Sequence, residues 1–96
     1  MVKKVRAQYS ALASVYKLLS DESRLRVIEI LSRSREPLSV GDIAATINMS
    51  HSATSHLLGT LFRGEVVENL RVGREKLYTM TKNTRATQVR KLLKKG

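Results

Sequence analysis

SVGDIAATINMSHSATSHLLGTLFR, residues 39–63, spells two short helices separated by a tight break. Ser39 is a good N-cap, and Asp42 stands three residues later, as in a capping box. Val40, Ile43, Ala44 and Ile47 recur at i, i+3, i+4 and i+7 and give one apolar face. Asn48-Met49 interrupts the pattern, and asparagine is among the few residues that accept a left-handed C-cap. Ser50 then opens a second helix as its N-cap. At about 100° per residue, Ala53, Thr54, Leu57, Leu58 and Leu61 cover one side of that helix, and Ser52, Ser55, His56, Gly59 and Arg63 the other. The second face is small, polar and uncharged near its start, with His51 at the beginning and the cation Arg63 at the end. Such a face can enter a major groove without repelling phosphate, and its Ser and His side chains can hydrogen-bond base edges. The stretch reads either as a helix-turn-helix whose second helix is the recognition helix, or as an ordinary antiparallel helix pair with a solvated Ser-rich face. The remainder of the chain has to decide between them.

The whole chain has 96 residues and fits a single domain. A chain this short buries only about 60–65% of its unfolded surface, so association with a second copy would help it. No apolar run approaches the ~20 residues of a membrane span, and the basic start, Met-Val-Lys-Lys-Val-Arg, has no apolar run behind it, so no signal peptide is expected. The absence of cysteine excludes disulfides, Cys-zinc sites and cysteine nucleophiles, and is consistent with a cytoplasmic protein. The net charge is +10 and uneven. Residues 1–48 hold eight Lys/Arg against five Asp/Glu, and residues 49–96 hold ten against three. Beyond Asn69, nine cations face only Glu75. A field of that sign and placement attracts polyanions.

Directly after the central stretch, Gly64 is placed for a helix C′ position. Val66–Leu70 and Lys76–Met80 then read as two strands, joined by the loop Arg71-Val72-Gly73-Arg74-Glu75 with two arginines at its tip. Val66 and Leu70 on one strand, and Tyr78 and Met80 on the other, are expected to face inward. A hairpin directly after a recognition helix is a wing, and Arg71, Arg74 and Lys76 would touch DNA backbone or minor groove. On the N-terminal side, Leu38 can bridge to this hairpin, and Pro37 holds the preceding residue extended. Asp21 caps a helix running to about Ser34 with Leu25, Ile28 and Leu31 buried, Val27 and Ile30 flanking, and Arg24 and Arg26 on the surface. Val5–Leu19 forms the first helix, with Tyr9, Leu12, Tyr16 and Leu19 on one stripe and Val15 beside it. Asn83 or Thr84 caps the last helix, residues 85–94, whose Ala86, Val89 and Leu93 oppose a basic side of Arg85, Arg90, Lys91, Lys94 and Lys95. A short amphipathic helix at a terminus needs a partner surface. The first helix, of the same chain or of a twin, can supply it.

The order is thus helix, helix, short strand, helix-turn-helix, hairpin, helix: mainly α with a small β-hairpin. In that order the chain resembles the ArsR/SmtB family of winged-helix transcriptional repressors. Residues 18–28, LLSDESRLRVI, resemble the family's LADPTRLRIL; residues 38–44, LSVGDIA, resemble LCVCDLA; residues 50–57, SHSATSHL, resemble SQSTVSRHL; and Gly73, Arg74, Tyr78 and Met80 resemble the wing pattern GRxxxYxL. The resemblance spans about residues 12 to 80. It implies a homodimer built on the first and last helices, here through Leu12, Tyr16, Val89 and Leu93. It also implies two recognition helices reading a pseudo-palindromic operator in double-stranded DNA.

The departures fall at the family's sensing positions. Where its arsenic and lead sensors carry Cys-x-Cys, this chain has Ser39 and Gly41, and residues 82–96 contain no His, Asp or Glu for a last-helix zinc site. His51 and His56, five residues apart on a helix, point about 140° apart and cannot chelate one ion together. No metal and no cofactor is therefore expected, and nothing in the residues specifies an effector. Glu65 departs too, since the family has an apolar residue after the glycine. No nucleophile-base-acid set can be assembled, so an enzyme is not expected. Four aromatics are too few for stacking-based recognition of single strands. The remaining alternative is a winged-helix module for protein interaction or non-specific nucleic-acid binding.

Overall fold

The computed structural model describes the backbone of residues 2–95 and their side chains other than those of residues 2–8, 84, 85, 88 and 95. The elements run α1 (Val2–Leu18), α2 (Glu22–Arg33), β1 (Leu38–Ser39), α3 (Val40–Ile47), α4 (His51–Arg63), β2 (Val67–Val72), β3 (Glu75–Met80) and α5 (Thr84–Lys95). The strands form one antiparallel sheet in the order β1-β3-β2. Leu38 pairs with Tyr78 and Ser39 with Leu77, the bridge expected from the sequence.

Four helix starts are set by side-chain caps. Asp21 accepts the Arg24 N–H at 3.0 Å, Ser39 that of Asp42 at 3.1 Å, Ser50 that of Ala53 at 3.0 Å and Asn83 that of Ala86 at 2.8 Å. Each satisfies one of the first-turn donors a helix leaves open. At the end of α3, Asn48 takes φ 58° and ψ 51°, and the Met49 N–H reaches back to the Ala44 carbonyl at 3.0 Å.

The end of α4 differs from the expectation. Gly64 has φ −80° and ψ 0°, and the left-handed residue is Glu65, at φ 63°. The Glu65 N–H donates to Phe62 O at 3.0 Å and the Val66 N–H to Leu61 O at 3.1 Å, which is the paired bonding of a Schellman motif. Glycine is needed at 64 for space. A Cβ there would lie 2.6 Å from Cδ1 of Leu18, so the end of α1 rests directly on the end of α4. Residue 65 is unusual because its backbone, rather than its side chain, is used: the Glu65 carbonyl accepts from Thr81 Oγ1 at 3.0 Å and Asn83 Nδ2 at 2.7 Å.

The core gathers Val27, Ile28 and Leu31 of α2, Ile43 and Ile47 of α3, and Leu58 and Leu61 of α4, closed by Val66, Val67, Tyr78 and Met80. On α2 the buried stripe is rotated from the expected one: Val27 is fully enclosed and Leu25 only half-buried, because α2 packs against both α3 and β3. Arg24 does not project as expected. Its Nε donates to Leu18 O at 2.9 Å and its Nη2 to Lys17 O at 3.2 Å, so the guanidinium fork closes the carbonyl end of α1. Val89 also departs from expectation, since it is completely buried within its own chain, beside Ala86. It fastens α5 to the core and leaves no surface for a partner. Among the described side chains of α1, only Val15 is fully buried; Leu18 and, just past the helix, Leu19 are partly so; Arg85 and Lys95, read as part of the basic side of α5, lie outside the described side chains.

The α4 exit gives opposite expectations for neighbouring residues. Gly64→Ala should destabilise the fold by about 1 kcal/mol, the low end for overpacking because the Leu18 methyls can swing aside. Glu65→Gly should be stabilising by about 0.5–1 kcal/mol, because it relieves a left-handed non-glycine residue. Urea unfolding of the two variants checks the signs.

Candidate nucleic-acid interface

The second helix of the helix-turn-helix, α4, is held by its apolar side. Thr54, Leu57, Leu58 and Leu61 are buried, and Thr54 satisfies its hydroxyl by donating to Ser50 O at 2.8 Å. Ala53 falls on that stripe by angle but is exposed, and it lines a cleft beside Met49 and His56. His51, Ser52, Ser55, His56 and Arg63 are all exposed, as read from the sequence.

The wing extends further than the sequence suggested. β2 continues to Val72 and β3 begins at Glu75, so the tip is only Gly73-Arg74, with Gly73 at φ 63°. A positive φ at the first central residue alone is the pattern of a type II′ turn. Arg74 is therefore at the tip, but Arg71 is not; it lies within β2, directly opposite Lys76. The register also corrects the inward set. Val67 pairs with Met80, Asn69 with Tyr78 and Arg71 with Lys76, so these six residues share one face. Leu70 pairs with Leu77 on the other face and is 55% exposed. Val66, which is buried, precedes the strand.

This register gives the sheet a graded inner face. It is apolar at Val67 and Met80, reaches the buried Tyr78, and becomes cationic at Arg71 and Lys76. There it forms one wall of a cleft of about 280 Å³, lined also by Ser39, Val40 and Gly41 at the start of α3, His51 and Ser55 of α4, and Arg74 and Glu75 of the wing. The fold thus brings His51, Ser55, Arg71, Arg74 and Lys76 together. His56 lies on the opposite flank of α4, in a second cleft shared with Asp21, Ser23, Arg24, Met49 and Thr60. Ser52 lines neither of these clefts, and Arg63 lies back along its own helix, with Nη2 3.4 Å from Thr60 Oγ1. Ser39 and Gly41, which also line the wing-side cleft, were read in the sequence as a helix cap and as the family's metal-ligand positions, not as walls of a cleft. Among the described residues no group of three His, Cys, Asp or Glu is placed to hold a metal ion.

Chemically, the wing-side cleft offers three basic side chains and one acidic one beside an uncharged helix face. Arg71 and Lys76 stand as a directly opposed like-charge pair, which disfavours the hairpin by itself and is relieved when an anion lies between or along them.

Residues 25–71 match the model of the IclR helix-turn-helix domain family, a range running from α2 to the penultimate residue of β2. The chain is 38% identical over 76 residues to a transcriptional repressor SmtB homolog of Synechocystis, covering 79% of this chain and 56% of that protein. It is 32% identical over 67 residues to the transcriptional repressor SdpR of Bacillus subtilis, covering 70% of this chain and 72% of SdpR. The chain belongs to the ArsR/SmtB family. Among solved structures, it superposes with a TM-score of 0.77 on the homodimeric winged helix-turn-helix DNA-binding domain Mb0332 of Mycobacterium bovis, described as a possible ArsR-family regulator. That match has 25% identity and covers 95% of this chain and 79% of the other. The chain spans little more than half the length of the SmtB homolog it matches. Its mainly helical fold with a three-stranded antiparallel sheet is a winged helix.

Proposed function

We propose that this ArsR/SmtB-family chain is a homodimeric, cytoplasmic repressor that reads a pseudo-palindromic operator in double-stranded DNA, is independent of metal and is not an enzyme. The convergence of His51 and Ser55 with Arg71, Arg74 and Lys76 on one cleft carries the proposal. In this reading Ser52, Ser55 and His56 meet base edges in the major groove, while His51, Arg71, Arg74, Lys76 and, at the far end of α4, Arg63 hold the phosphate backbone. The relatives named as repressors and the DNA-binding domain of similar fold support it.

The dimer rests on α1. Tyr9, Leu12 and Tyr16, spaced i, i+3 and i+7, are 65%, 42% and 53% exposed, and Leu93 of α5 is half-buried. A stripe of two tyrosines and a leucine is more apolar surface than a helix in water needs. Val89 drops out of the interface because its own core occupies it. Among the described residues, no helix is long and apolar enough to cross a membrane.

The metal-independent reading follows from the donors. Cysteine is absent, and the last fifteen residues hold no His, Asp or Glu.

The dimer should be lost when Leu12 and Tyr16 are both replaced by lysine, and sedimentation velocity would show it; a wild-type chain that stays monomeric at micromolar concentration removes the dimeric model. Zn²⁺, Cd²⁺ and arsenite should leave operator affinity unchanged in a dialysed sample, and stoichiometric tight binding of any of them overturns metal independence. On DNA, His56→Ala should cost about 1–3 kcal/mol on the preferred sequence and little on random duplex. Arg74→Ala should weaken all duplexes alike and lower the salt slope by about 0.9 for each phosphate no longer neutralised, hence about twice that per dimer. Salt titrations on two duplexes separate these outcomes. If neither substitution affects any DNA, the protein-interaction alternative takes precedence.

A further inference from the structure

A further cleft lies away from the side of α4 proposed to meet DNA. It has a volume of about 470 Å³ and lies between the last turns of α2 and α5, lined by Glu29, Ser32, Arg33, Arg90, Leu93 and Lys94. None of these residues lines either cleft beside α4. Ser23, at the α4 end of α2, and Ser32, in this cleft, are nine residues apart, roughly 13 Å along the helix. A DNA duplex is far too wide to enter a cavity of this size, which instead falls in the range of small-molecule sites.

Its chemistry favours an anion. Three cations face one carboxylate, and that carboxylate, Glu29, is already paired with Arg33 at 3.0 Å. Arg33 and Lys94 lie in the closing turns of their helices, where a cation complements the dipole, so their presence has a sufficient local cause. Arg90 does not. It sits in the middle of α5, is half-buried, and its Nε is shut off from solvent without a hydrogen-bond partner. An ionised guanidinium N–H shielded from water and left without an acceptor is costly and uncommon in folded proteins. An oxyanion entering the cleft would supply the acceptor, since a planar carboxylate or a phosphate can take the Nε–H and a terminal N–H together. Ser32 adds a hydroxyl and Leu93 an apolar wall.

We infer that the α2–α5 cleft is a binding site for a small organic oxyanion, a carboxylate or phosphate ester, with Arg90 as its principal ligand. Because the site is built on α5 and stands apart from the DNA-facing clefts, a bound anion would act as an effector on the helix that Val89 anchors to the core. The inference does not depend on the operator reading, and it is tested without DNA.

The test is a heteronuclear NMR titration of the full chain at constant ionic strength, with inorganic phosphate and benzoate as separate probes. The Arg90 Nε–H and the amides of Ser32, Arg33 and Leu93 should shift saturably with at least one probe, while amides around Arg74 on the wing report non-specific attraction. Arg90→Met keeps the apolar stem and should weaken the saturable binding by about tenfold or more. Arg90→Lys keeps the charge but not the fork, and should also weaken it; amide spectra otherwise like the wild type certify that both variants fold. Saturation by phosphate alone assigns a phosphate-bearing ligand, and by benzoate alone a carboxylate with an apolar body. Shifts that stay linear in both probes, that are shared equally by the wing, or that persist unchanged in Arg90→Met overturn the proposal.

Discussion

One carbonyl oxygen organises the molecule. The C=O of Glu65, whose backbone is left-handed at the end of α4, accepts from Thr81, which follows β3, and from Asn83, which caps α5. One residue earlier, Gly64 lets Leu18 of α1 lie against the same spot. The exit of the recognition helix is therefore where the root of the wing, the start of α5 and the end of α1 meet. Arg24 adds the fourth tie by closing the carbonyl end of α1 from α2. These are individually modest bonds of about 1 kcal/mol net, somewhat more where the guanidinium donates, but they share partners. Their effect is to fix directions: once the backbone turns at Glu65, β2 can leave α4 only along the path that pairs it with β3.

From that turn the placement of the positive charge follows. Val67 is the first strand residue and points into the core, so alternation places Asn69 and Arg71 on the same face and, through the register, Lys76 beside Arg71. The inner face thus runs out of core before it runs out of strand. Its last pair projects over the start of α3 and the side of α4, where His51 and Ser55 stand. The wing's cations are aimed by the pleat, and a one-residue slip would have put Leu70 and Leu77 in the cleft and the arginine on the outside.

The parts of this arrangement governed by local chemistry were legible in the sequence. Asp21, Ser39 and Ser50 as caps, Asn48 as the left-handed break and the bridge at Leu38 depend on a few neighbouring residues, and all appear where their types placed them. The parts governed by distant contacts were not. Gly64 looks like a left-handed cap because glycine usually fills that role, yet here its lack of a Cβ serves Leu18, forty-six positions earlier in the chain. Val66 and Val67 are both apolar, and only the turn at Glu65 determines which of them begins the alternation. Arg24 cannot be told from a surface arginine until α1 is seen ending beside it. Val89 looks like interface because a lone amphipathic helix needs cover, and the sequence does not say that its own core supplies that cover. The polar face of α4 was legible as a surface, but its division between a wing-side and an α2-side cleft was not, since that depends on what flanks the helix.

The recognition helix is held differently at its two ends, and the difference bears on how DNA binding could respond to the rest of the chain. Its first turn is set by a local device, the Ser50 cap and the Thr54 hydroxyl returning to Ser50. Its last turn is set by α1, the wing root and α5 together. Thirteen residues make α4 about 20 Å long, so a tilt of about 5° at the exit carries the first turn through nearly 2 Å. Hydrogen bonds to base edges tolerate only a few tenths of an ångström. In the proposed reading, small changes in the packing of α1 or α5, whether from a second subunit or from a molecule between α2 and α5, are therefore large enough to bring Ser52 and Ser55 into or out of hydrogen-bonding reach of the bases without any change in the helix itself.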